Sequence, residues 1–277
     1  MRAGPMFAST AWNACTFQSV ERQDQLIFTL LGGSVDHLGT TRCRVWDPPR
    51  GKCGCSAPVT LTGRNHTVVE MGANDGLHMA NSYFFSKTLG WRALLVEGNP
   101  EVYKRIALHR PEAERVNALV GNPRNFPPDG KAPFYAFYRP GDSEKADTTR
   151  EWETGLSGIP DSNASMPALR SETSAKRYAA RYGVQFRQHR LDVVRFSTLL
   201  SDLFIDTIDV LFLDVEGAEL AVLQTLNFKK HPVRVLVVER PTQEVTRLLA
   251  ARGYNDLRVT YDSGGDRVFV GTGSAFF

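Results

Sequence analysis

Carboxylates recur in this chain where apolar runs stop: Glu70, Glu97, Asp192, Asp214 with Glu216, and Glu239. In an open α/β sheet the strand ends line the ligand crevice, so acids at those positions converge on one pocket. Any one of them could simply cap the helix that follows. That reading fits the set poorly, because Glu70 and Glu97 both come directly after apolar strands and flank glycine turns. The stretch Thr67-Val-Val-Glu-Met-Gly-Ala-Asn-Asp-Gly76 reads as a buried strand entering a loop with glycines at 72 and 76, and Ala93-Leu-Leu-Val-Glu97 as a second buried strand ending in an acid. Together they describe a βαβ unit with a nucleoside site at its carboxyl edge. The glycines let a ligand approach the backbone, and Glu97 can hold ribose hydroxyls.

The loop chemistry narrows the nucleoside. Dinucleotide sites use GxGxxG, whose second glycine admits the pyrophosphate. Here position 74 is Asn, and the loop carries its own acid at Asp75. A carboxylate beside a pyrophosphate is repelled, whereas the amino and sulfonium groups of S-adenosylmethionine are cationic, so charge complementarity favours that donor.

The elements that must position these acids follow from periodicity. Residues 1–64 read as an irregular N-terminal extension, rich in Gly, Pro and Cys, apart from a short helix at Asp24 to Leu31. Residues 65–277 read as the main domain. Strands are expected at Val68-Val69, Arg92 to Val96, Val116 to Val120, Asp209 to Leu213 and Val233 to Val238. Helices are expected at Met79 to Leu89, from Asn99-Pro100 to His109, Phe196 to Leu203, Leu220 to Leu226, and Thr242 to Arg252. Between 121 and 190 the pattern breaks into Pro, Gly, Ser and Asp, with one strand at Phe134 to Tyr138 and a polar helix at Glu172 to Tyr182. So long a loop region inside a domain is usually functional, and it is the expected acceptor region. Leu257 to Tyr261 and Arg267 to Val270 read as a closing hairpin. Alternating strands and helices imply an α/β fold with a mostly parallel sheet.

Composition excludes several classes. The chain has 33 basic and 30 acidic residues, a formal charge of +3, with scattered basic residues, which gives no footprint for nucleic acid. No apolar run approaches the ~18 residues of a membrane span, and no signal peptide is evident, which leans toward a cytoplasmic location. Cys15, Cys43, Cys53 and Cys55 all precede the strand at 67 and lack the paired spacing of common zinc sites. Free thiols, a disulfide or a metal remain open for them, as does the redox compartment. Asn65-His-Thr67 and Asn163-Ala-Ser165 match glycosylation acceptors, a pattern that also occurs by chance.

Glu70-x-Gly-Ala-Asn-Asp-Gly76, Asn81-Ser82, Gly90-Trp91, Leu95-Val-Glu97-x-Asn-Pro100 and Asp214-Val-Glu-Gly-Ala-Glu219 resemble the FkbM family of S-adenosylmethionine-dependent methyltransferases. Ser19-x3-Gln23-Asp24-x-Leu26-Ile27 is similar to the region preceding the core in many members. The likeness covers about 65 to 270, with gaps across 121 to 185. It implies a class I methyltransferase (Rossmann-like) fold, a mostly parallel seven-stranded sheet with a C-terminal antiparallel hairpin, and methylation of a hydroxyl on a sugar or other small-molecule or glycan acceptor. By the same resemblance Glu70, Gly72, Asn74, Asp75 and Gly76 surround the methionine part of the cofactor. Glu97 falls at the ribose, with Gly98 and Asn99 beside it, and Asp192 joins this cofactor set as a strand-end acid. Asp214 and Glu216 fall where substrate and methyl group meet. The residue after Glu97 is glycine here, where an acid or proline is common, and the segment 34 to 64 has no clear family counterpart.

An alcohol nucleophile needs a proton acceptor or a metal. His189 is one candidate base, set against a surface histidine in the polar run Arg187-Gln-His-Arg190. Asp214, Glu216 and Glu239 could instead hold Mg²⁺ through oxygen ligands, or cap helices, or bind substrate hydroxyls. His78 reads as structural. Two rival readings are an interaction module that keeps the fold without catalysis, and an NAD-binding oxidoreductase, which the loop acid and closing hairpin disfavour. The sequence leaves the oligomeric state open.

Overall fold

A computed structural model describes residues 9–12, 23–36, 54–139, 155–161, 167–258 and 265–272. Cys15, Cys43 and Cys53 lie outside them, as do Asn163 and most of the expected hairpin strand 257–261.

The N-terminal part contributes β1 (Ser9–Trp12), α1 (Gln23–Leu30), β2 (Ser34–Asp36) and β3 (Gly54–Pro58), the three strands forming a small antiparallel sheet. The main sheet then begins with β4 (Thr67–Met71), α2 (Tyr83–Lys87), β5 (Arg92–Val96), α3 (Pro100–His109) and β6 (Glu114–Val116). A second small sheet is built from β7 (Leu119–Val120), β8 (Lys131–Tyr138) and β9 (Gln185–Val194), with α4 (Glu172–Tyr182) between the last two. The chain returns through α5 (Phe196–Asp202), β10 (Ile208–Leu213), α6 (Glu219–Gln224), β11 (Val233–Val238), α7 (Gln243–Ala251), β12 (Tyr254–Asp256) and β13 (Arg267–Gly271). The seven-stranded sheet runs β12-β13-β11-β10-β4-β5-β6. Its pairs from β11 to β6 are parallel, while β13 is antiparallel to both β11 and β12. The order reverses between β4 and β10, which places a ligand crevice above their carboxyl ends.

Alternation along the strands separates two apolar layers and aims the acids. Val68, Leu95, Val210 and Phe212 join one layer with Phe84 and Phe85 of α2. Val69, Met71, Leu94, Val96, Leu211 and Leu213 join the other with α5, α6 and α7. Side chains alternate faces along a strand, so Glu70 shares the face of Val68 and meets the segment leading into α2. The boundary expected at 64/65 does not separate two cores. Ile27, Phe28 and Leu31 of the N-terminal part are buried in the first layer, and the Phe28 ring packs edge-on against Phe84 with centroids 4.8 Å apart.

Three expectations change. The helix read at Met79 to Leu89 is only Tyr83–Lys87, because the Glu70 carboxylate holds the backbone N–H groups of Asn81 and Ser82 and keeps residues 77–82 in loop form. The strand read across 116 to 120 splits. Asn117 Nδ2 donates to the carbonyls of Glu97 and Gly98, and the chain leaves the main sheet there, so that β7 pairs with β9 instead. The supposedly irregular 121–190 region contains the longest ladder of the molecule's described part, β8 against β9 over eight residue pairs. Its core of Tyr135, Phe137, Leu169, Ala175 and Ala179 is its own.

Candidate functional site

A cavity of about 1010 Å³ opens above the carboxyl ends of β4, β5, β10 and β11. That is the upper end of the usual size for small-molecule sites, roughly 300–1,000 Å³. Its wall includes Glu70, Gly72, Asn74, Glu97, Gly98, Asp214, Glu216 and Glu239, so these sequence-derived site residues share one cavity.

The loop after β4 is held in one shape by close contact. Gly72 has φ +82°, and a Cβ there would lie 1.7 Å from the Asp214 carbonyl oxygen, so no other residue fits. Four of the non-glycine residues with positive φ, Asn74, Met79, Glu216 and Arg240, also line the cavity. Backbone strain of this kind gathers at functional sites.

Glu97 is buried at one end. Its Oε2 accepts from the Asn74 N–H at 2.8 Å and its Oε1 from the Asn99 N–H at 2.6 Å. Burial pushes its pKa up to about 7, against the pull of those N–H groups. Asn99 does not line the cavity. It caps α3 by accepting from the Glu101 N–H, as its sequence context predicts, and donates through Nδ2 to the Phe137 carbonyl and to Ser157 Oγ. Gly98 sits where a Cβ would lie 2.9 Å from Leu119 and 3.2 Å from Phe134, leaving an apolar wall beside the carboxylate.

At the other end Asp214, Glu216 and Glu239 bring carboxylate oxygens within 4.8 Å of one another. Burial and then the Glu239 charge raise the Asp214 pKa well above its ordinary value, and the same two causes push Glu216 up to about 7. Arg240 pairs with Glu239. Gln23, the first residue of α1, also lines the cavity and donates to Asp266 at 2.6 Å, and Asp266 adds its charge to those facing Asp214.

Besides Asn99, four more residues assigned from the sequence lie off the cavity wall. Asp75 turns away from the cavity. Its carboxylate is fully buried and accepts from the N–H groups of Leu77 and His78, both at 2.9 Å, with His78 Nδ1 at 2.6 Å. Burial raises its pKa, but the His78 hydrogen bond and charge outweigh that and hold it below the ordinary range. Gly76 lies beneath the Arg110 side chain, 3.0 Å from where a Cβ would sit, and accepts from it through the carbonyl. Asp192 is largely exposed and pairs with Lys131 at 2.9 Å. His189, in β9, lies 3.5 Å from Glu101 rather than on the cavity wall, and burial lowers its pKa. None of these four lines the cavity. His78, read as structural, serves as the partner of Asp75. The sequence reading missed Gln23, Asp266 and Ser157. Gln23 stood in a motif without a role, and Asp266 and Ser157 sit in polar stretches that carry no periodic signal.

The strand order, the antiparallel final strand and an acid-lined cavity at the point of reversal define a class I methyltransferase architecture. The family model of the Methyltransferase FkbM domain matches residues 70–255, and the chain belongs to that family of S-adenosylmethionine-dependent methyltransferases. No curated protein matches the chain. Among solved structures it is similar to Aeropyrum pernix fibrillarin in complex with natively bound S-adenosyl-L-methionine, at 12% identity and a TM-score of 0.37, over 80% of this chain and 78% of that one. Among the described residues no helix is long and apolar enough to cross a membrane.

Proposed function

We propose that the protein transfers the donor methyl group to a hydroxyl of a sugar or another small hydroxylated molecule, free or within a glycan. The observation that carries this reading is the Asp214, Glu216 and Glu239 cluster in the same cavity as Glu97. Glu97 takes the ribose hydroxyls, and the main-chain turn at Gly72 seats the sulfonium arm. The acceptor oxygen attacks the methyl carbon, the carbon–sulfur bond breaks, and the sulfonium becomes a neutral thioether. The hydroxyl proton passes to the carboxylate cluster. A carboxylate with a raised pKa is a stronger base than an ordinary one, and burial gives Asp214 and Glu216 that property. Alignment of donor and acceptor supplies much of the remaining rate.

Among the described residues the wall carries seven carboxylates, Glu70, Glu97, Asp161, Asp214, Glu216, Glu239 and Asp266, against one guanidinium, Arg240. Such a cavity repels phosphorylated or carboxylated acceptors and suits neutral or amino-bearing ones. The Asp214, Glu216 and Glu239 oxygens also form a donor set of the kind Mg²⁺ accepts. When bound there, the ion would lower the acceptor hydroxyl's pKa.

The test is calorimetry with S-adenosylmethionine and with NAD, followed by transfer of a labelled methyl group into a metabolite extract with mass detection of the product. Donor binding and a product heavier by one CH2 unit, with its new methyl group on oxygen, support the reading. Binding of NAD alone would replace it with an oxidoreductase, and donor binding without any product with an interaction module. Loss of transfer on chelation, restored by Mg²⁺, would assign the metal.

A further inference from the structure

The resemblance places Glu70 around the methionine part of the donor, yet its carboxylate is committed elsewhere. Oε1 accepts from the Asn81 N–H at 2.7 Å, and Oε2 from the Ser82 N–H at 3.2 Å and Ser82 Oγ at 2.6 Å. Three of its roughly four lone-pair sites are therefore taken, and only 3% of the residue is exposed. The Arg110 guanidinium, bonded to the same Ser82 Oγ at 3.2 Å, adds a compensating charge.

What the cavity wall offers instead are two amides. Asn81 Oδ1 is buried and has no hydrogen-bond partner, and both amide atoms of Asn74 are in the same condition. Both residues line the cavity. Native proteins seldom leave buried polar atoms unsatisfied, and each exception calls for a ligand or a functional reason. Asn74 is held at φ +47° with its N–H on Glu97, and the Asn81 N–H is held by Glu70. The two backbones are fixed, while the Asn74 amide and Asn81 Oδ1 are left without partners.

We propose that Asn81 is a donor-positioning residue: its Oδ1, together with that of Asn74, receives the ammonium group of the methionine arm, and Asn74 Nδ2 faces the arm's carboxylate. An ammonium has three N–H donors and no acceptor, which matches two amide oxygens. Glu70 acts one step back, by fixing the loop that carries Asn81. This assignment rests on the methyl-donor reading.

Two probes separate the arm from the nucleoside. S-Adenosylhomocysteine carries the amino-acid arm, and 5′-methylthioadenosine has the same nucleoside thioether without it. In calorimetry on the full chain, Asn81→Ala weakens S-adenosylhomocysteine about tenfold, the loss expected for one hydrogen bond to a charged group. It leaves 5′-methylthioadenosine within about twofold. Asn81→Asp, which keeps an acceptor, retains S-adenosylhomocysteine binding and guards against misfolding of the alanine variant. Equal weakening of both probes would reveal a structural residue, and unchanged affinity for both would remove Asn81 from the site; either result overturns the proposal. A wild-type chain that bound neither probe would overturn the donor reading itself, which separates the two failures.

Discussion

The two ends of the cavity use the same residue type under opposite conditions. Glu97 is met by the N–H groups of Asn74 and Asn99, whereas Asp214 is met by Glu239, Glu216 and Asp266. Burial raises the pKa at both ends. At the Glu97 end backbone dipoles oppose that rise, which supports the proposed role of Glu97 as acceptor for ribose hydroxyls. At the Asp214 end neighbouring acids add to it, and the cluster holds a proton readily. The first environment suits binding and the second suits proton transfer, and the surroundings decide which.

The comparison breaks most visibly if the acid cluster is neutralised. Asp214→Asn should lower methyl transfer by about 10²- to 10⁴-fold, the range for loss of a general base, while S-adenosylhomocysteine affinity stays within about threefold. The reverse pattern would move Asp214 into the donor site. Glu97→Ala should do the opposite, weakening the donor by about 1.5–3 kcal/mol with the fold kept, measured by calorimetry and a thermal melt.

A smaller effect lies in stability. Glu97 holds its proton to about pH 7 in the fold, above its ordinary value of 4.5. Between those pH values the folded chain binds more protons than the unfolded one, so this group's contribution falls as pH rises and levels off above 7. Glu97→Gln should remove that decline and raise Tm at pH 8, by about 2–4 °C for each kcal/mol recovered. A Tm–pH curve parallel to wild type would contradict the raised pKa. Asp75 carries the opposite sign. Its lowered pKa stabilises the fold above the unfolded value of 3.8 and is lost as acid protonates the folded carboxylate, so Asp75→Asn should reduce Tm at pH 7 and the deficit should shrink as pH falls below 3.8. The smallest effect belongs to Asp192→Ala, whose exposed pair with Lys131 is worth about 0–1 kcal/mol. It should leave donor affinity unchanged.

Much of the fold was legible because its signals are local. β11 and α3 have the expected ends, and the Asn99 cap does what its sequence context predicts. β9 was not legible, because Gln185-Phe-Arg-Gln-His-Arg-Leu-Asp is polar along most of its length and lacks a buried stripe. The donor loop was legible in position and partly misread in direction. Asp75 argued against a pyrophosphate, yet its carboxylate turns to His78 and the Leu77 N–H, and the charge that faces the cavity comes from the acids around Asp214. Side-chain direction after a strand depends on which neighbour supplies an N–H, and that information is not carried by spacing.

Gly72 has a consequence for engineering. Since its α-carbon rests against the Asp214 carbonyl, main chain touches main chain where the donor loop meets the acid loop. The separation between the two loops is therefore set by peptide geometry, out of reach of side-chain replacement. Side chains around that contact can be exchanged without altering it, whereas an insertion in either loop would change the spacing between the proposed donor and acceptor sites.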